Sequence, residues 1–165
     1  MNRYDYHSKI TDIEAAYIAG FIDADGTITF GTSRKRKDGS RGLPMPMVLV
    51  VNTDWRIIEL MKKLTGNGCA YQTKATKLRP DQDKANWNPV HRYQITGLAA
   101  IELCERVYPY LRLKRDRADV LRMCPCRERD FKQKASDEQI TLGHRLENKI
   151  REMNSRKSKP QPSFL

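Results

Sequence analysis

The chain has 165 residues, 39% of them hydrophobic and 31% charged, with a net charge of +11 and a mean hydropathy of −0.72. That length predicts one compact domain. The longest apolar run, 45–51, is interrupted by Pro46 and is far too short to cross a bilayer, so no membrane partner is expected. The basic excess points instead to a polyanion, nucleic acid before any anionic surface.

In chain order, residues 1–10 are polar and lack the apolar segment of a secretion signal, so the expected setting is intracellular and reducing, in an organelle or a prokaryotic cytoplasm alike. Thr11-Asp12-Ile13-Glu14 has the form of a capping box and opens a helix that runs through Ile22 and stops at Gly26. Ala15 and Ala19, and Ala16 and Gly20, are small residues four apart on this helix. A glycine inside a helix costs about 1 kcal/mol relative to alanine, and small residues on one face admit a second helix backbone at close range. The sequence holds no second helix of this kind, so Ala15, Ala16, Ala19 and Gly20 are the expected dimer interface, with another copy of the chain as partner.

Residues 27–33 are mostly β-branched or aromatic and read as a strand, followed by a basic loop over 34–42 with the turn pair Asp38-Gly39. A second strand covers 45–52, with its prolines confined to the start. Thr53 or Asp54 caps a helix through Leu64, whose apolar positions have helical spacing, and Gly66 stands where a left-handed C-terminal residue is wanted. Strands are predicted over 68–77 and 90–96, joined by a polar loop, and helices over 98–107 and 113–123, each ending before a proline. A second capping box, Ser136-Asp137-Glu138-Gln139, opens a last helix to about Asn154. The tail, 155–165, is basic and expected to be mobile. The four cysteines have no secretory context. Cys124-Pro125-Cys126, with His144 spare, lacks the paired C-x-x-C spacing of a zinc ribbon, so reduced thiols are expected.

Hairpins alternating with helices predict an α+β layer, an antiparallel sheet with helices on one face and the other face open to a ligand. The whole is one domain over 1–154, with a core of 11–124 and extra C-terminal helices over 127–154.

Charge is unevenly placed, for residues 1–30 carry a local −3 within a basic chain. The first helix delivers Asp23 and Asp25 to its C-terminal end, where the helix dipole disfavours carboxylates. A divalent cation would compensate, since Mg²⁺ needs few carboxylates and keeps its waters. On these residues alone, Asp25-Gly26 is equally a simple turn and Asp23 a cap.

The nine residues Ile18-Ala19-Gly20-Phe21-Ile22-Asp23-Ala24-Asp25-Gly26 closely resemble the LAGLIDADG motif, with conservative changes at three positions. The predicted element order is similar to the αββαββα fold of the single-motif LAGLIDADG homing endonucleases, whose sheet is saddle-shaped. The resemblance implies a homodimeric, site-specific double-strand DNA endonuclease that promotes intron mobility, cutting a long pseudo-palindromic target with Mg²⁺ or Mn²⁺. An intron RNA-splicing maturase binding intron RNA, or a non-cleaving DNA-binding regulator, is the alternative on the same fold. By the resemblance, Asp25 is the metal-binding acid, the Ala24 carbonyl also faces the metal, and Asp23 is structural. Asn52 matches the polar residue that orients the attacking water, Arg56 a basic residue at the start of the next helix, and Lys114 the lysine near the scissile phosphate. Arg56 and Lys114 have a plainer reading as anchors for the phosphate backbone.

A sheet entering the major groove presents alternate side chains to base edges. Thr29 and Ser33 on the first strand and Arg92 and Gln94 on the fourth are the expected readers, with Tyr71 and Thr73 on a third-strand face whose direction the sequence leaves open. Met45, Met47, Leu49 and Val51 alternate onto the outward face of the second strand, where contact with thymine methyls is one option and a different strand phase the other. Arg34, Lys35, Arg36, Lys37, Arg41, Lys74, Lys77 and Arg79 are expected to contact phosphates.

Overall fold

The computed structural model describes residues 9–32, 39–73, 89–128 and 134–155. They form α1 (Asp12–Asp25), β1 (Gly26–Gly31), β2 (Met45–Asn52), α2 (Trp55–Thr65), β3 (Cys69–Thr73), β4 (Val90–Thr96), α3 (Leu98–Val107), α4 (Arg115–Arg122) and α5 (Asp137–Asn154), with 3₁₀ turns at Tyr108–Tyr110 and Pro125–Glu128. The strands make one antiparallel sheet in the order β1-β2-β4-β3. This is the α+β layer expected.

Both capping boxes are present. The Thr11 hydroxyl accepts from the Glu14 amide while the Glu14 carboxylate accepts from the Thr11 amide, and Ser136 and Gln139 do the same for α5. At α2 the cap is Asp54 rather than Thr53. Gly66 adopts φ +64° at the end of α2, as its position predicted. Gly68, at φ +83°, is needed for a second reason, since a Cβ there would lie 2.7 Å from the Gln94 carbonyl oxygen.

One face of the sheet is buried by the helices. Ile28, Phe30, Val48, Val50, Tyr93 and Ile95 point into a core shared with Ile18 and Ile22 of α1, Ile58 and Met61 of α2, and Ile101 and Leu103 of α3. Each such aliphatic side chain contributes about 1.5–3 kcal/mol on burial. The Tyr93 hydroxyl donates to Thr65 Oγ1 at 2.8 Å, and Thr65 donates onward to the Met61 carbonyl. Burial pushes the Tyr93 phenol up to about 12, so it stays a neutral donor tying β4 to α2.

The orientation of α1 corrects the expected dimer surface. Ala15 and Ala19 are fully buried with Ile18 and Ile22 inside the chain's own core and are not available to a second chain. Ala16 and Gly20 are exposed. They share the outer face with Ile13, 84% exposed, and Tyr17, 47% exposed.

α1 runs into β1 with no intervening loop. Gly26 ends the helix in extended backbone, at φ −86° and ψ 164°, so left-handed freedom is not its purpose. A Cβ at this position would lie 2.6 Å from the Ile22 Cα, and only glycine lets the strand leave so close to the preceding turn. At the far end, Asn154 of α5 donates to the Ile28 carbonyl, and Arg117 of α4 donates to Asn154 Oδ1 and the Met153 carbonyl. The C-terminal helices are thereby tied back to β1.

Candidate functional site

Successive helical residues are turned by about 100°, so Asp23 and Asp25 leave α1 on opposite sides. Asp23 turns inward to the segment before α4, where its carboxylate accepts from the backbone amides of Arg112, at 2.6 Å, and Lys114, at 3.0 Å. Lys114 returns the contact, its ammonium donating to the Ile22 and Asp23 carbonyls at 2.7 Å each. Lys114 thus supplies one cation at the C-terminal end of α1, on the Asp23 side. The same contacts place the Lys114 ammonium on helix carbonyls.

Asp25 is exposed and accepts a hydrogen bond from Asn52 Nδ2 at 3.0 Å. Asn52 Oδ1 in turn accepts from the Asp54 amide at 2.8 Å, which fixes which end of the side chain faces Asp25. The two motif-derived candidates expected to work together are thus in direct contact, from the end of α1 and the end of β2. Arg56 is held close by, its guanidinium bonded to Asp54 with Nη2 to Oδ2 at 2.7 Å, while its side chain stays 88% exposed. The hydrogen bond from the Arg56 side chain, with that from its amide, keeps the Asp54 carboxyl below its ordinary value.

Two neighbours of this group were not foreseen. His91 is the cross-strand partner of Asn52, and its ring meets Trp55 edge-on at 5.2 Å. Strand pairing across 39 residues of sequence leaves no local signal that would have announced them.

Among the described residues no three His, Cys, Asp or Glu side chains gather as a metal cluster. Among the described residues the end of α1 offers hard oxygen donors, the exposed Asp25 carboxylate and the Ala24 carbonyl next along the helix from the two that Lys114 occupies. That set fits Mg²⁺, which keeps most of its waters, and fits an ion shared with a second chain. Cys69, Cys104, Cys124 and Cys126 are all free thiols, and burial pushes Cys104 up to about 12.

The opposite face of the sheet is open. Its cross-strand rows are Thr29–Met47–Thr96, Thr27–Leu49–Gln94–Cys69 and Val51–Arg92–Tyr71, with Thr73 beside Val90. The expected readers Thr29, Tyr71, Thr73, Arg92 and Gln94 all lie on this face, and Tyr71 donates to Gln94 Oε1 at 3.0 Å. β2 has the expected phase, with Pro46, Val48 and Val50 inward and Met45, Met47, Leu49 and Val51 outward. Arg41 is exposed just ahead of β2. Ser33, Arg34, Lys35, Arg36, Lys37, Lys74, Lys77 and Arg79 lie outside the described residues.

No family model and no curated protein matches the chain. Solved structures do. The homing endonuclease I-CvuI, in complex with its target in the presence of calcium, superposes with a TM-score of 0.63 over 90% of this chain and 87% of that one, at 20% identity. An archaeal intron-encoded homing endonuclease, I-Vdi141I, complexed with DNA, gives 0.66 over 88% and 86%, at 15% identity. The LAGLIDADG homing endonuclease I-LtrWI, bound to target DNA, gives 0.54 over 86% of this chain but only 44% of its own, at 16% identity. The fold is that of the LAGLIDADG homing endonucleases. Within this LAGLIDADG fold, residues 18–26 form the second half of α1 and its junction with β1, so the motif-like segment sits where the exposed Asp25 and the sheet meet.

Proposed function

We propose that the chain is a site-specific, metal-dependent DNA endonuclease of the homing type, working as a homodimer on a long pseudo-palindromic double-stranded target and so promoting intron mobility. One observation carries this reading. An exposed acid, Asp25, is held by Asn52 beside an open sheet face, on a fold shared with structures solved on DNA.

Asp25, with the Ala24 carbonyl, would hold the divalent ion, Mg²⁺ or Mn²⁺. When bound, such an ion supplies charge stabilisation at the phosphate and an activated water. Asn52 restrains the Asp25 carboxylate and orients solvent beside it. Arg56, exposed and steered by Asp54, is placed to meet a phosphate.

One chain presents one such acid, whereas a double-strand cut needs two. The exposed face of α1, with Ile13, Ala16, Tyr17 and Gly20, supplies the surface for a second copy, and a Cβ built on Gly20 finds no atom within 4 Å. Packing α1 against its two-fold mate would bring the two Asp25 residues together at the seam. The coverage of only 44% of I-LtrWI supports this, because that chain is about twice the size of the unit described.

The test is cleavage of a randomised duplex library by the full chain with Mg²⁺. Wild type is expected to cut a defined subset, and Asp25→Asn to bind the same duplexes without cutting. A library left intact by wild type, or cut equally by Asp25→Asn, overturns the proposal. Sedimentation showing a monomer both free and on DNA overturns the dimer.

A further inference from the structure

We infer that β2 reads A·T base pairs through apolar contact with thymine C5-methyl groups, with Met47 and Leu49 as the specificity-determining residues. This rests on the nuclease reading and deepens it by naming what kind of sequence the site must contain.

An antiparallel sheet with one open face ordinarily alternates apolar inward and polar outward. β2 does not. Its outward positions Met45, Met47, Leu49 and Val51 are all apolar, and β2 lies between β1 and β4 rather than at an edge. The row therefore runs down the interior of the open face, in a chain whose net charge is +11. Its flanks are polar, with Thr27 and Thr29 on one side and Arg92, Gln94 and Thr96 on the other.

The charge and these flanks commit the face to a polyanion rather than to an apolar protein surface. Arg92 adds a positive charge to this face, beside Val51 and Tyr71. A guanidinium on an open face can donate to a phosphate.

Of the base edges in the major groove, only thymine carries a methyl group. An apolar row facing guanine or cytosine would strip water from polar edges and return no hydrogen bond, so it discriminates against G·C while matching T. The spacing agrees. Alternate strand residues are about 6.8 Å apart, roughly two base-pair steps at about 3.4 Å each.

The cross-strand neighbour of Leu49 is Gln94, and glutamine pairs with the N6 and N7 edge of adenine. The Tyr71 hydroxyl holds Gln94 Oε1 at 3.0 Å, so this amide is oriented before DNA arrives. Leu49 and Gln94 together present a methyl contact and an amide side by side, matching the two halves of one A·T pair.

The experiment measures binding of the full chain, with Ca²⁺ and no Mg²⁺, to a duplex selected from a randomised library. Each thymine is replaced in turn by deoxyuridine, which keeps every hydrogen bond and charge and loses only the methyl. A loss of about fourfold per contacted methyl is expected, confined to a tract of about six base pairs in each half-site. Leu49→Ala and Met47→Ala should abolish the thymine-over-uracil preference at one position each while the fold is retained, checked by calorimetry, because both half-buried side chains lie outside the core.

If a duplex is selected but no uracil substitution weakens it, or if both variants keep the preference, this inference is overturned and the nuclease reading stands. If no duplex is selected at all, both are overturned.

Discussion

The two acids at the end of α1 are separated by a single residue and have opposite surroundings. Asp23 is bonded by two backbone amides of the segment before α4, and Lys114 closes the clasp from the other side. Asp25 is exposed and meets one side-chain amide. The contrast shows how one short segment divides its acids between internal bonding and solvent. A turn of about 200° over two residues commits one carboxylate to the chain's own backbone and leaves the other available to a cation.

Four substitutions would break or sharpen this contrast. Asp25→Asn should lower cleavage by ~100-fold or more and leave the melting temperature unchanged, read by single-turnover cleavage and calorimetry. Asp23→Asn should do the reverse. It weakens two amide contacts and costs about 1–3 kcal/mol of stability, measured by urea unfolding, and a variant as stable as wild type would show the clasp to be idle.

Lys114→Met comes next, with an expected loss of about 1 kcal/mol from the uncompensated helix end. If it abolishes cleavage at temperatures where the fold is intact, Lys114 has a part in the chemistry beyond the clasp. The smallest effect belongs to the opposite end of the helix, at Glu14. Hydrogen bonds from the Thr11 amide and hydroxyl hold its carboxyl below the ordinary 4.5. A depressed folded-state value stabilises above the unfolded one and is lost as pH falls through the folded one. The melting-temperature gap between wild type and Glu14→Gln should therefore be present at neutral pH and close in acid below about 4.5.

Much of this arrangement is legible in the sequence wherever the signal is local. Capping residues, prolines and β-branched runs placed β4 and α3 with the bounds observed, and the family resemblance pointed to Asp25 and Asn52. The direction of α1 was not legible for a physical reason. Ala15, Ile18, Ala19 and Ile22 make one apolar face, while Ile13, Ala16, Tyr17 and Gly20 make a second one, so periodicity could not say which face meets the sheet. The partner of Lys114 is 91 residues away in sequence and is set by packing alone. The facing of Tyr71 and Thr73 depended on pairing with β4, which a short polar strand does not declare.

The missing loop between α1 and β1 has a consequence for how such a molecule can change. Asp25 and Thr27, the first outward residue of β1, are joined by Gly26 alone, with its neighbour's backbone too near for any side chain. On the proposed function, the distance from the metal-binding acid to the base-contacting face is thus a covalent constant, with no slack for drift. One residue inserted there would turn Thr27 and Thr29 into the core and Ile28 out toward solvent. A lineage bearing this scaffold can exchange the side chains of the open face one by one, yet it inherits the spacing between that face and Asp25 as a fixed ruler.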